Sequence, residues 1–232
     1  MLRTGCDATW MFSRSERSLL NLLHLFTAPL VRSIHGSEHL LGMNDPFILA
    51  ANHTTHVDAL VVPVAMMHLS RRPIRFLSDW NFLMIPGLRF VLRRARTIPV
   101  AAKLARPRWL TFLRTFLIHG RPGLEGARMA LLAGNSVGVF SEGRAHRHPL
   151  QMLRGHRGAA LLSLEARVPI LPVGIRFPGT DGMKQVPEFH RMEIHIGNPL
   201  WPGHEDPVAH LHSRLMHSLE TLSAKKWNCH RT

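Results

Sequence analysis

After residue 40 the chain switches repeatedly between short apolar runs and stretches with helical spacing. Phe47-Ile48-Leu49-Ala50-Ala51 follows the turn-like Asn44-Asp45-Pro46 and reads as a buried strand. Ala59 to His68 reads as a helix interrupted early by Pro63. Arg75–Leu77 and Thr97–Val100 are weaker strand candidates, with a helical stretch, Phe82–Arg93, between them. Trp109–Ile118 and Leu124–Ala133 have helical spacing, the second stopped by Gly134-Asn135. Ser136–Phe140 and Ile170–Arg176 are strands, Gly158–Glu165 a helix, Arg191–Ile196 a half-exposed strand, and Asp206–Leu222 a final helix. Strands alternating with helices predict the α/β class: a mainly parallel sheet covered by helices.

The front of the chain has another pattern. Ser13 and Glu16 have capping-box spacing, and Leu19, Leu22, Leu23, Phe26 and Leu30 recur at three- and four-residue steps. An amphipathic helix is expected, and residues 1–34 form a segment apart from a domain over 35–232. Its apolar stripe either packs on the rest of the protein, the commoner fate of such a face, or lies on a membrane interface. No apolar run reaches the roughly 18–20 residues that cross a bilayer as a helix, since Asn21, His24 and Pro29 interrupt the nearest one, Leu19–Val31. Arg14 and Arg17 precede that run as in a secretory signal, but the charged lead-in is long and no clear A-x-A cleavage site comes after it.

Composition narrows the partners. In 232 residues, 45% hydrophobic and 19% charged, there is ample material for a large core, which excludes disorder as the main state. Two cysteines, Cys6 and Cys229, exclude a disulfide scaffold and a four-cysteine zinc site. A net charge of +14 leaves nucleic acid, an anionic membrane and phosphorylated substrates open. It also tilts the reading of the N-terminal stripe towards the membrane, where each basic group near an anionic leaflet contributes about 1 kcal/mol.

In open α/β sheets chemistry gathers where strands end. Asn52-His53-Thr54-Thr55-His56-Val57-Asp58 directly follows one predicted strand, and Ser141-Glu142-Gly143-Arg144 follows another. Residues five apart lie about 140° apart around a regular helix, so His53 and Asp58 meet only if His53 is in the strand-end loop and Asp58 in the next helix's first turn. Asp58 would then fix the His53 tautomer and leave the other ring nitrogen to take a proton from a hydroxyl. A His–Asp pair is more often structural than catalytic, and His56 is a rival base. In the second cluster Gly143 allows close backbone approach, and Arg144, Arg147, Arg154 and Arg157 suit phosphate oxygens; an exposed basic loop with no ligand is the plain alternative.

Asn-His-x4-Asp at 52–58, Phe-Ser-Glu-Gly at 140–143 and Val-Pro-Ile-Leu-Pro-Val at 168–173 resemble, in order and spacing, the motifs of the glycerolipid acyltransferases, which include the 1-acyl-sn-glycerol-3-phosphate acyltransferases. The likeness spans about residues 35–200. It implies a membrane-associated enzyme that moves a fatty acyl group from acyl-CoA or acyl-carrier protein to a lysophospholipid or glycerol-phosphate-like hydroxyl. It needs no metal and no other cofactor, and sits peripherally or monotopically on the cytoplasmic face of a membrane. His53 would be the general base, Asp58 its orienting partner, and Glu142 and Gly143 part of the acceptor site. This chain departs from the family pattern in two places. Ser141 replaces a proline, and Arg144-Ala145 stands where Thr-Arg is usual, so the arginine is one place early. The second motif, Thr97 to Lys103, lacks its usual terminal arginine, leaving Lys103 or Arg96 to reach the same anion. Acyl transfer is therefore better supported than a phosphorylated acceptor, and a non-phosphate lipid alcohol stays open.

Other chemistries fit less well. Ser141 lacks the G-x-S-x-G frame of a serine hydrolase. Neither His204, Glu205, His210, His212 and His217 nor His146 and His148 form a zinc signature. A non-enzymatic basic protein binding nucleic acid or membrane is the alternative from another class; aromatics at 7%, with no tyrosine, argue against a base-stacking surface.

Overall fold

The computed structural model describes residues 11–100 and 123–228. At its centre lie the strands β1 (Val31–His35), β2 (Ile48–Ala51), β3 (Ile74–Asp79), β4 (Ile98–Val100), β5 (Ser136–Phe140), β7 (Ile170–Arg176) and β8 (Met192–Ile196). They form a seven-stranded sheet in the order β1-β8-β7-β2-β5-β3-β4. Neighbours pair in parallel except β7 with β8. A two-stranded parallel ribbon joins β6 (Gln151–Met152) to β9 (Lys226–Trp227).

Alternation along the strands explains the two layers. Phe47, Leu49 and Ala51 enter one core, while Ile48 and Ala50 enter the other. The first core is closed by α1 (Arg14–Thr27), α2 (Ser37–Leu41) and α3 (Asp58–Ser70). The second is closed by α5 (Gly123–Leu132), α6 (Gly158–Ala166) and α7 (Val208–Ser223). A smaller cluster of Trp80 and Leu83 lies under α4 (Pro86–Arg94). This is the mainly parallel, helix-covered α/β sheet that the periodicity predicts.

Several elements differ from the expected pattern for identifiable reasons. Pro63 does not interrupt α3, because Val61 to Met67 are buried without a break and that packing outweighs the roughly 3 kcal/mol cost of a helical proline. The stretch 82–93 is two elements, a 3-10 turn at Trp80–Met84 and α4, because Ile85 precedes Pro86 and is extended (φ −89°, ψ 113°). Val31–His35 is an edge strand, paired with β8. The helix expected at 109–118 lies outside the described residues.

The Ser13–Glu16 capping box opens α1 as its spacing predicts. The helix ends at Thr27, so Leu30 falls in a 3-10 turn containing Pro29. The apolar stripe then divides. Leu20 and Thr27 are buried, and Leu23 packs with them on the first core. Leu25 and Phe26 are 70% and 69% exposed, with Leu22 beside them. On the packed face His24 stacks on His68 of α3, ring centroids 3.7 Å apart and planes 7° from parallel.

That stack ties α1 to pH. Burial, then the neighbouring His24 and Arg71, holds His68 below its ordinary value of 6.5. A folded value depressed in this way leaves the packing intact above about pH 6.5 and weakens it as pH falls through the folded value. Amide hydrogen exchange in α1, corrected for intrinsic rates, should therefore accelerate between about pH 7 and about pH 5 while exchange in β2 and β5 does not. His68→Leu should remove the difference.

Candidate active site

Parallel pairing brings two loops to one rim. Ile48 pairs with Val137 and Ala51 with Phe140, so β2 and β5 end level and release Asn52-His53 and Ser141-Glu142 side by side. Neither loop is loose. Ser141 N–H donates to the Ala51 carbonyl at 2.8 Å, and the Asn52 side chain accepts from Ile175 N–H at 2.7 Å and donates back to its carbonyl at 3.4 Å. The first loop is thus fastened to β5 on one side and to β7 on the other.

Asp58 is the first residue of α3, where the helix's positive end favours a carboxylate, and its side chain reaches back to the loop that precedes the helix. One oxygen accepts from Thr54 N–H at 2.7 Å and Thr55 N–H at 2.9 Å, and the other from the Thr55 hydroxyl. The His53 Nδ1 lies 3.6 Å from that first oxygen; His53 is 12% exposed and Asp58 fully buried. Nδ1 is itself buried with no hydrogen bond. The pair stands a few tenths of an ångström beyond hydrogen bonding, as catalytic pairs often do without substrate. The His53 ring leans on Phe140 at 4.4 Å between centroids. His56, the rival base, is exposed and turned outward onto Glu188 at 3.1 Å.

Glu142 reaches across from β5. Its two oxygens accept from His53 N–H and Leu153 N–H, each at 2.8 Å. Burial pushes its carboxyl upward, opposed by those two backbone donors and by the charge of Lys225. Gly143 comes next with φ +67°, and a Cβ there would lie 2.6 Å from the His156 ring, so only glycine suits both the turn and the contact. Beyond it a cleft of about 690 Å³ opens between the loop 153–157 and α7. Glu142, Arg144, Arg154 and Arg157 line it with His212 and Trp227. Arg157 is the N-cap of α6, so that helix's positive end also faces this region.

The sequence-derived candidates therefore separate. His53, Asp58, Glu142, Gly143, Arg144 and Arg157 gather at one rim. Arg96 does not join them: it pairs with Glu16 of α1 at 3.0 Å, at the edge strand β4. Lys103 lies outside the described residues. Two positions that build the rim escaped the sequence reading. Asn52 stood in the motif with no role assigned to its side chain. Lys225, 4% exposed, donates to the Thr54 hydroxyl at 2.8 Å and the His148 carbonyl at 2.9 Å. No local signal marks it, since it lies 171 residues from Thr54.

Metal ligation has one geometric candidate among the described residues, His35, Glu193 and His195, on the β1–β8 pair. Its two imidazoles stack at 4.5 Å with 18° between planes, and Arg32 pairs with Glu193 at 3.7 Å. Stacked rings aim their in-plane lone pairs alongside one another instead of at a shared point.

A mostly parallel sheet with helices on both faces is also the fold of a solved acyltransferase. The crystal structure of the 1-acyl-sn-glycerophosphate (LPA) acyltransferase PlsC from Thermotoga maritima matches with a TM-score of 0.65 at 18% identity, over 90% of this chain and 80% of that one. The family model described as Acyltransferase matches residues 31–176, and the chain belongs to that family. No curated protein sequence matches the chain as a relative. The likeness drawn from the three motifs therefore holds at the level of family and fold.

Asn52→Ala would leave the Ile175 N–H and carbonyl without their side-chain partner in a dry interior. Expected is a loss of roughly 1–3 kcal/mol in stability, read as a lower urea midpoint at unchanged slope.

Proposed function

We propose that the protein transfers a fatty acyl group from the thioester of acyl-CoA or acyl-carrier protein to the hydroxyl of a lysophospholipid or glycerol-phosphate-like acceptor. The observation that carries this reading is the His53–Asp58 pair, 3.6 Å apart, in a loop whose His53 N–H is held by Glu142, a residue that also lines the arginine-bearing cleft. Asp58, fixed by three donors, closes the remaining gap to Nδ1 as the acceptor binds, and Nε2 serves the acceptor. The acceptor oxygen gives its proton to Nε2 as it attacks the thioester carbonyl carbon. The tetrahedral oxyanion collapses with cleavage of the carbon–sulfur bond, and the departing thiolate recovers that proton from the imidazolium. No covalent acyl-enzyme is required, because His53 activates the acceptor itself.

The cleft supports an anionic head group. Both oxygens of Glu142 are occupied by backbone N–H groups, so the guanidinium groups of Arg144, Arg154 and Arg157 dominate its field. Outward-facing Leu22, Leu25 and Phe26 on α1, with Arg14 and Arg17 exposed on the same helix, support peripheral docking on an anionic bilayer. No helix among the described residues is long and apolar enough to cross a membrane.

His53→Ala should lower kcat/KM for acyl transfer by about 10²–10⁴-fold at an unchanged melting temperature. His56→Ala should retain activity; the reverse result would move the base to His56. Replacing Leu22, Leu25 and Phe26 together by serine should cut recovery with floated anionic vesicles by at least about tenfold, since each removes apolar area otherwise worth about 1.5–3 kcal/mol on burial. A folded triple variant that floats like the parent would reject α1 as the docking element.

A further inference from the structure

The strongest feature left unused is a buried ammonium behind the rim. Helix α7 ends in Ala224, whose left-handed φ of 55° turns the chain back under the strand ends. The ribbon pairing then sets the direction of the next two side chains. Lys226 N–H donates to the Leu150 carbonyl at 2.8 Å, and Lys226 points outward while Lys225 points in. Lys225 Nζ meets the Thr54 hydroxyl and the His148 carbonyl, and lies 5.9 Å from the centre of the Phe177 ring. Thr54 is the residue whose own N–H is held by Asp58. One ammonium thus joins three separate parts of the chain: the 52–58 loop, the basic loop and the C-terminal ribbon.

Its charge has a clear counterpart. Asp58 and Glu142 are both buried carboxylates that accept backbone N–H groups of the His53 loop, and both attract Lys225. Two buried anions with no cation between them would be costly, and the cheaper outcome is for one to take a proton. A protonated Glu142 exchanges acceptor capacity for an O–H donor, facing two N–H groups that both need an acceptor. His148 gives its carbonyl to the ammonium, whose charge, after burial and His148 and together with Arg144, helps to hold His146 neutral. Burial pushes Lys225 itself down to about 8, opposed by Glu142 and Asp58, so it remains mostly charged near neutrality.

We propose that Lys225 is a positioning residue of the acyl-transfer site, balancing the buried carboxylates of Asp58 and Glu142 so that both stay acceptors for the N–H groups that hold His53 in place. Lys225 lies beyond the residues 31–176 that carry the family match. The assignment rests on the acyl-transfer reading of the rim, but it can be tested without substrate.

The test is a carbon-13 titration of the Glu142 carboxyl in the full chain, assigned with Glu142→Gln. Lys225→Met should raise the Glu142 midpoint by at least about one pH unit, and Lys225→Arg should hold it near the parent value. A folded Lys225→Met protein with an unmoved Glu142 titration would overturn the proposal. If Lys225→Met does not fold, Lys225→Gln, which keeps a donor for the Thr54 hydroxyl and the His148 carbonyl without the charge, takes its place. A raised Glu142 midpoint in Lys225→Gln is expected, and an unmoved one overturns the proposal. In turnover, the acid limb of kcat/KM should move to higher pH in Lys225→Met while the acceptor KM changes by less than about threefold. Parent protein inactive with every donor and acceptor would sink the acyl-transfer reading alone, because the carboxyl titration is recorded without either.

Discussion

Both oxygens of Glu142 are committed to backbone, one to the N–H of His53 and one to the N–H of Leu153, each at 2.8 Å. That side chain ties the loop carrying the imidazole to the loop carrying the arginines, beside the His146 N–H that donates to the His53 carbonyl at 3.0 Å. A carboxylate out of water survives only if its lone pairs are filled and its charge is met. The two amides supply the first condition, and the ammonium of Lys225 contributes to the second. Geometry and charge state are therefore one property here. Whatever protonates Glu142 also loosens the loop on which His53 is mounted.

The sheet makes such an arrangement cheap to build. Two parallel strands in level register, β2 and β5, necessarily release their loops at the same end, and helix N-termini collect at that end as well. Asp58 uses this directly, accepting the loop N–H groups of Thr54 and Thr55 from the start of α3 while lying 3.6 Å from the ring. Elsewhere the acids are spent on structure: Glu16 holds Arg96, Asp45 holds Arg72 and Glu188 holds Arg147. With 29 Lys and Arg against 15 Asp and Glu, such pairing must leave cations over. The cleft behind Glu142 is where three of them converge.

How far the sequence could be read depends on the range of each interaction. Phe47–Ala51, Ser136–Phe140 and Ile170–Arg176 are buried on both faces, so each is a continuous apolar run that identifies itself. The ribbon strands β6 and β9 are two residues each and carry no period. The His53–Asp58 geometry was legible because it is local, a loop and the first helical turn five residues later. Arg96 was misplaced because nearness in sequence to a motif does not say where a long side chain reaches, and Glu16 claims it from 80 residues away. Lys225 was invisible for the same reason at greater distance. The N-terminal stripe was legible as a helix, but its division into a face on α3 and a face towards solvent depends on where α3 lies.

That division bears on why one chain carries both a leucine-rich helix and an excess of arginine. Positive charge by itself suits a polynucleotide as well as a phospholipid. The shape of the charged region discriminates between them. A duplex needs cations spread along an exposed stripe that tracks a row of phosphates. Here Arg144, Arg154 and Arg157 line, with Glu142, a concavity of about 690 Å³, the size of a pocket for a single small-molecule ligand and not a track along a polymer. An amphipathic lipid has an apolar chain, an anionic head and a hydroxyl between them, and it resides in a bilayer. On the proposed reading the exposed face of α1, the arginine cleft and the His53 imidazole on the neighbouring loop would address those features separately. The acyl-transfer reading accounts for all three together, whereas a purely electrostatic binder would leave the His53–Asp58 pair and the buried charges behind it without a purpose.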